Sequence, residues 1–338
     1  MPPKVLVHGT GGIGSIYVYL LTQAGCDVTA VCRSNYSAVK SNGIIIDSEV
    51  YGKDLHVSPN VVQTPSEAAA HGPFDYLIVS TKALPDSQTS NIIAPAVTKC
   101  KTTIVLIQNG IGIEDEYAAR FPGNPLLSCV VYLPTTQTKP GHIQMGFVEL
   151  LEVGTFPSSA YDELSNVKTA TNQFLEILKQ GGSNAKLYPD IQEHRWKKLL
   201  LNVPWNSMCA LTLCRDTAVL ASSPEADPVI FDLMMEVVAV AQALGYKSVN
   251  EASARSNPSK AYERLGTKGI EPSMLVDVLS ARRTEVDVIL GVPVKVAKEL
   301  GVPVPRMEML YVLCKALDQS MALRRPGKSL CGDELRKA

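Results

Sequence analysis

The chain has 338 residues, a length that suits two domains, and its 46% hydrophobic content supplies material for two cores. Only 19% of residues are charged and the formal net charge is −1, with no block of like charges, which argues against nucleic acid or an anionic membrane as the main partner. Eight cysteines form no Cys-x-x-Cys pair and five histidines lack a metal-ligand spacing, so the residues predict reduced core thiols and no metal site. The first strand signal begins by Lys4 and no apolar run approaches ~18 residues, so the expectation is a cytoplasmic protein without a membrane segment.

The first element is an apolar run, "KVLVHG", followed by the turn "GTGGIG" and by "SIYVYLLTQAG", whose apolar residues recur at near-helical spacing until Gly25. A second strand, "DVTAVCR", runs from Asp27 to Arg33. Strand, glycine turn, helix and strand form the unit that binds a dinucleotide: Gly9 permits the sharp turn, Gly11 lets the backbone approach a pyrophosphate, and Gly14 lets the helix pack on the strand. The loop residues Gly9, Thr10, Gly11, Gly12, Ile13 and Gly14 thus lead into a helix whose first N–H groups face the anion.

NAD-selective sites usually end the second strand with a carboxylate for the ribose 2′-hydroxyl. Arg33 stands there instead, and a guanidinium pairs with a 2′-phosphate, so the expected cofactor is NADPH. Ser34 and Asn35 would add neutral donors. The alternative for Arg33 is a solvated arginine at a strand end.

"GIIIDS", "DLHVSP", "FDYLIVSTKA" and "TTIVLIQNGIG" follow as short strands of an open α/β sheet. The segment from Leu126 to Phe156 is β-rich, and "YDELSNVKTATNQFLEILKQGG" reads as one helix before a last strand-like piece, "AKLYPD". From Ile191 onward strand signals give way to helical periodicity. The predicted fold class is α/β, an N-terminal Rossmann-type doubly wound sheet over 1–188 with a C-terminal all-helical domain over 189–326. Residues 327–338 read as a loose tail. An apolar helical domain of this kind can support a homodimer.

Ligands of such sheets lie outside the carboxyl ends of strands, which draws attention to Lys82 in "STKA" and Asn109 in "QNG". Each also has an ordinary reading, a solvated lysine and a turn asparagine. In "WKKLLLNVPWN", Lys198, Asn202 and Asn206 are four residues apart and share one helix stripe, either a solvent face or a polar pocket wall, with Pro204 interrupting it. Ser273 stands near a helix start and Glu285 twelve residues later; a cap, and a partner for Arg282 or Arg283, are their bland readings.

With these motifs together, "GTGGIG", the arginine after the second strand, "STKA", "QNGIG", "PGHI", "WKKLLLNVPWN" and "SMLVDVLSARRTEVDVILGVPVKVAKELGVPVP", the chain resembles the ketopantoate reductases over nearly its whole length. That resemblance implies an NADPH-dependent reduction of the 2-keto acid 2-dehydropantoate to pantoate, a step toward pantothenate and coenzyme A. It implies that Lys198 is the proton donor and that Asn202, Asn206 and Ser273 bind the polar groups of the substrate. Glu285 would lie at cofactor and substrate, Asn109 beside the nicotinamide and substrate, and Lys82 near a cofactor phosphate.

The chemistry of the residues agrees, because an ammonium with an ordinary pKa near ~10.4 can stabilise and protonate the oxygen that gains charge when a ketone accepts hydride. Two positions depart from the family pattern. Pro204 and Trp205 bring bulk into the stripe, and Ile270 stands where relatives often carry a polar amide. They leave room for a reductase of another 2-keto or 3-hydroxy acid. A nucleotide-binding regulatory protein is the reading from a different class, and the retention of both Lys198 and Glu285 argues against it.

Overall fold

The structure, a computed structural model, describes residues 1–256 and 259–323, so the predicted tail at 327–338 lies outside the described residues. The chain divides into two compact units. Unit 1 comprises 1–81, 87–108 and 113–191; unit 2 comprises 82–86, 109–112 and the chain from Gln192 onward.

Unit 1 is built on twelve strands: β1 (Lys4–His8), β2 (Asp27–Val31), β3 (Ile44–Ser48), β4 (Gly52–Val57), β5 (Asn60–Val62), β6 (Tyr76–Val79), β7 (Thr103–Leu106), β8 (Leu126–Tyr132), β9 (Thr135–Lys139), β10 (His142–Met145), β11 (Leu150–Thr155) and β12 (Ala185–Leu187). Eight of them form one sheet in the order β12-β11-β8-β7-β6-β1-β2-β5. Its neighbours pair in parallel except β8 with β11. β1 lies between β2 and β6, so the chain reverses its direction of travel across the sheet there, and the loop after β1 sits at the switch point where such sheets bind ligands. Strands β6 and β7 are buried at every position, the pattern required of parallel strands covered on both faces.

"GIIIDS" and "DLHVSP" do form strands, but not in this sheet. β3 and β4 join β9 and β10 in a separate four-stranded sheet of order β4-β3-β10-β9. The reason is visible in the residues: β3 buries Ile44, Ile46 and Ser48 and exposes Asp47, a one-sided pattern that suits a sheet with a wet face. The helix expected across Tyr161–Gly182 also differs, since Leu164 is extended and separates a short turn at Ala160–Glu163 from the helix proper, Ser165–Gln180.

The main helices are α1 (Gly12–Gln23), α2 (Tyr36–Asn42), α3 (Ser165–Gln180), α4 (Ile191–Leu201), α5 (Ala226–Ala243), α6 (Ser273–Leu279), α7 (Val292–Leu300) and α8 (Pro305–Leu323). α1 packs Ile16, Tyr17, Leu20 and Leu21 with Val5, Val7 and Val28 of the sheet in the core of unit 1. Each such side chain contributes about 1.5–3 kcal/mol of burial.

Among the described residues after Leu187 every element is helical. The core of unit 2 gathers round α5, whose Ile230, Leu233, Met234, Val237, Val238, Val240 and Ala241 recur at three- and four-residue intervals on one face. Two π turns interrupt its helices, Asn202–Asn206 directly after α4 and Asp287–Gly291 directly before α7. The first contains Pro204, which has no N–H for an α-helical bond, so the helix widens there rather than breaking. No described helix is long and apolar enough to cross a membrane.

Candidate active site

In unit 1 the loop from Gly9 to Gly14 is held by close backbone approach. Gly9 has φ +105, and a Cβ there would lie 2.6 Å from the Thr81 nitrogen. A Cβ on Gly14 would overlap the Gly9 carbonyl, which also accepts a 2.9 Å bond from Ser80 Oγ. Gly11 is different: a Cβ there would meet nothing within 4 Å and its φ is −89, so nothing in the fold demands glycine. A ligand that must touch the backbone does, and this fits a pyrophosphate on the N-terminus of α1. Three buried side-chain atoms beside the loop, His8 Nδ1, Ser15 Oγ and Thr81 Oγ1, lack a hydrogen-bond partner in the protein, which also fits a polar ligand.

Arg33 and Ser34 stand exposed just beyond β2. His8, pushed down to about 4 by burial and then by Arg33, is neutral at physiological pH, leaving Arg33 as the cation of the pair. Asn35 does not have the role expected of it. Its Nδ2 donates to the Thr10 carbonyl at 2.7 Å and to Gln137 Oε1 at 3.3 Å, while Thr10 Oγ1 donates to the Val31 carbonyl at 2.8 Å. Asn35 therefore fastens the glycine loop to β2 and β9 instead of offering its amide to a phosphate. Thr135 of β9 lies over the same loop, 2.8 Å from where a Gly12 Cβ would stand.

In unit 2 the structure joins three of the expected residues in one chain of hydrogen bonds. Lys198, in the last turn of α4, donates from Nζ to Asn109 Oδ1 at 2.7 Å, and Asn109 Nδ2 donates to Glu285 Oε2 at 3.1 Å. Glu285 Oε1 accepts the Ala83 N–H at 3.1 Å. The bland reading of Glu285 fails, because Arg282 pairs with Asp277 and Arg283 with Asp318 and Asp86. Asn109 is fixed locally: Gly110 has φ +92 and packs on Val288, and its carbonyl accepts a 2.9 Å bond from the buried Arg195.

Asn206 and Ser273 form a second group. Asn206, 3% exposed, accepts at Oδ1 from Ser273 Oγ (3.1 Å) and from the Met274 N–H (2.9 Å), so it caps α6 in place of Pro272, which has no capping side chain. With Oδ1 committed, a substrate can meet this amide only at its Nδ2 donor. Asn202 is half-buried at the start of the π turn between the two groups along the chain. Lys82 is ion-paired with Asp277 of α6, and its Nζ also reaches the Arg283 carbonyl at 3.4 Å. Sequence reasoning passed over Asp277, although it stands one helical turn after Ser273, and over Gln137, which no local pattern marks.

The loop that enters α6 is anchored by buried Asp216, which accepts from Arg264 Nη2 at 2.5 Å, from the Ile270 N–H at 2.7 Å and from the Thr217 N–H at 2.8 Å. The Ile270 side chain remains 50% exposed. Among the described residues no group of three or more His, Cys, Asp or Glu is placed to hold a metal ion.

Family models match both parts of the chain. Residues 5–158 match the family described as ketopantoate reductase PanE/ApbA, and residues 190–318 match its C-terminal part. The chain belongs to the ketopantoate reductase family. It is 31% identical to an uncharacterized Saccharomyces cerevisiae protein, YDL144C, over 95% of each chain. The crystal structure of 2-dehydropantoate 2-reductase from Methylococcus capsulatus is similar at a TM-score of 0.80 and 31% identity, covering 97% of this chain and 99% of that one. A ternary structure of D-mandelate dehydrogenase with NADH and anilino(oxo)acetate shares the fold, with a TM-score of 0.80 at 20% identity over 94% and 99% of the two chains. The protein is thus an oxidoreductase of the ketopantoate reductase family, with the Rossmann-like and helical parts that the fold requires.

Gly11→Ala tests the nucleotide cradle. The fold has room for the methyl group, so thermal unfolding should show native stability or a gain of up to about 1 kcal/mol. Fluorescence titration should show NADPH and NADH binding weakened by about tenfold or more, which is about 1.4 kcal/mol. Undiminished binding of both would remove the loop from the site.

Proposed function

We propose that this protein is an NADPH-dependent reductase of 2-keto acids, with the conversion of 2-dehydropantoate to pantoate as its reaction and the cytoplasm as its place of action. The observation that carries the reading is the bonded chain Lys198–Asn109–Glu285. The Gly9–Gly14 loop would hold NADPH, which would supply the hydride for the keto carbon. Lys198 is the general acid, delivering a proton from Nζ to the oxygen that becomes an alkoxide. Its charge interacts more strongly with that oxygen than with the neutral ketone, and the difference lowers the barrier.

Asn109 links the ammonium to the carboxylate, and Glu285 orients the lysine through it. Asn206 and Asn202 offer amide donors to the substrate carboxylate and carbonyl, and the Ser273 oxygen accepts from a substrate hydroxyl. Neutral donors suit this task, since a second cation would compete with Lys198 for the developing charge. Arg33 would pair with the 2′-phosphate, while Lys82 would have to exchange its Asp277 partner to serve a cofactor phosphate.

A second reading keeps the reaction and changes the acid. The exposed Ile270 side chain and the buried Pro204–Trp205 pair favour a substrate with more apolar surface next to the keto group. The shared fold of D-mandelate dehydrogenase makes an aryl-substituted 2-keto acid the comparison to run. Turnover of NADPH with ketopantoate, pyruvate and phenylglyoxylate separates the readings: ketopantoate at least tenfold ahead in kcat/KM supports the first, and phenylglyoxylate ahead supports the second.

Lys198→Ala should depress kcat by at least ~10²-fold while substrate binding changes little. Lys197→Ala is the control, since it projects about 100° round the same helix. Steady-state kinetics on cooperatively melting variants decide the matter. Near-native turnover in the Lys198 variant, or a larger loss in the Lys197 variant, would overturn the assignment.

Cofactor choice has its own test in a pair of variants. Arg33→Ala should weaken NADPH by about 1.5–3 kcal/mol and spare NADH. Asn35→Ala, which loosens the loop, should weaken both cofactors to the same degree. A native protein that binds NADH as tightly as NADPH would contradict the role of Arg33.

A further inference from the structure

Glu285 is held through its neighbours as well as through its own carboxylate. Tyr311, Lys315 and Asp318 lie at i, i+4 and i+7 of α8, on one face of that helix. Asp318 has 0% exposure; its Oδ1 accepts from the Thr284 N–H at 2.7 Å and from Thr284 Oγ1 at 3.1 Å, and its Oδ2 accepts from Arg283 Nε at 2.7 Å. On the other side of Glu285, Asp287 accepts from Tyr311 OH at 3.0 Å and from Lys315 Nζ at 2.6 Å. One face of α8 therefore grips residues 283–284 and 287 and leaves the Glu285 carboxylate turned to Ala83 and Asn109.

A carboxylate with no solvent contact is costly unless it is fully bonded, and a helix that only needed packing would do as well with an apolar residue there. Asp318 instead directs both its oxygens at the two residues before Glu285. Two residues before Arg283, Ala281 has φ +51, in the left-handed region that is unfavourable for a residue with a Cβ. Strain of this kind persists only where surrounding contacts over-determine the backbone, and the α8 grip fixes the residues that follow directly.

We propose that Asp318 is a positioning residue, which sets the orientation of Glu285 and, through Asn109, of the Lys198 ammonium. The inference rests on the roles given above to Glu285 and Lys198, and it makes the last helix part of the reaction machinery at one remove. Asp318 itself is inaccessible to solvent and acts only through Arg283 and Thr284.

The test is Asp318→Asn, which keeps the volume and turns one acceptor oxygen into a donor. Glu236→Gln is the matched control: Glu236 is a buried carboxylate that caps the first turn of the same helix through the Arg306 and Met307 N–H groups, with no link to Glu285. In Asp318→Asn, native-state hydrogen exchange should show protection of the Ala83 amide, which bonds to Glu285 and not to Asp318, reduced at least tenfold. With ketopantoate, kcat should fall by about ten- to a hundredfold with KM much less changed, the usual scale for a misplaced catalytic geometry. Glu236→Gln should lower Tm comparably and move neither readout.

Native protection of Ala83 in Asp318→Asn would overturn the proposal, and so would parallel losses in both variants at equal loss of Tm. If Asp318→Asn fails to fold, Thr284→Val removes one of the three bonds and must show the same two effects at smaller size, or the proposal fails. Exchange at Ala83 needs no turnover. A wild-type protein inert toward 2-keto acids would thus refute the reaction proposed above, while the exchange result still decides the role of Asp318.

Discussion

The arrangement depends on one amide. Asn109 accepts from the Lys198 ammonium with its oxygen and donates to the Glu285 carboxylate with its nitrogen, so one side chain holds both in register. This constraint explains why the short segment 109–112 is so firmly fixed, by the positive φ of Gly110, by its packing on Val288 and by the buried Arg195.

Around that amide, unit 2 uses buried carboxylates as fasteners. Asp216 secures the loop entering α6, Asp277 takes Lys82 and Arg282, and Asp318 takes Arg283 and Thr284. Each is nearly or fully inaccessible to solvent and each is paired, as burial of charge demands. Their partners lie between Arg264 and Thr284, except Lys82 and the neighbouring Thr217, so these three carboxylates fasten the stretch that bears Ser273 and leads to Glu285. Unit 1 follows a different principle. Its cradle is made of backbone, with glycines where the chain or a ligand must come close, and Asn35 tying the loop down from one side.

Much of this was legible in the sequence, and the limits have physical causes. The β1–α1–β2 unit follows from apolar runs, a glycine turn and a helix stop, all local signals. Lys198, Asn109 and Glu285 could be singled out one at a time, but their meeting could not be derived from spacing, since 89 and 176 residues separate the bonded partners. Placing β3 and β4 in the main sheet overlooked the exposed Asp47, which marks a sheet with a wet face. Asn35 looked like a phosphate donor because its partner Gln137 arrives 102 residues later from another sheet. Asp318 reads in sequence as an ordinary polar residue on a long amphipathic helix, and only burial distinguishes it.

The claim that Lys198, Asn109 and Glu285 act as one unit is tested most directly by a double-mutant cycle on Lys198→Ala and Glu285→Gln. The measurement is kcat/KM for NADPH-dependent reduction of whichever 2-keto acid the native protein turns over best. Residues that work as a unit give losses far from additive, so the double variant should lie within about threefold of the worse single variant. Losses that multiply, so that the double variant falls by the product of the two, would show independent roles and contradict the account.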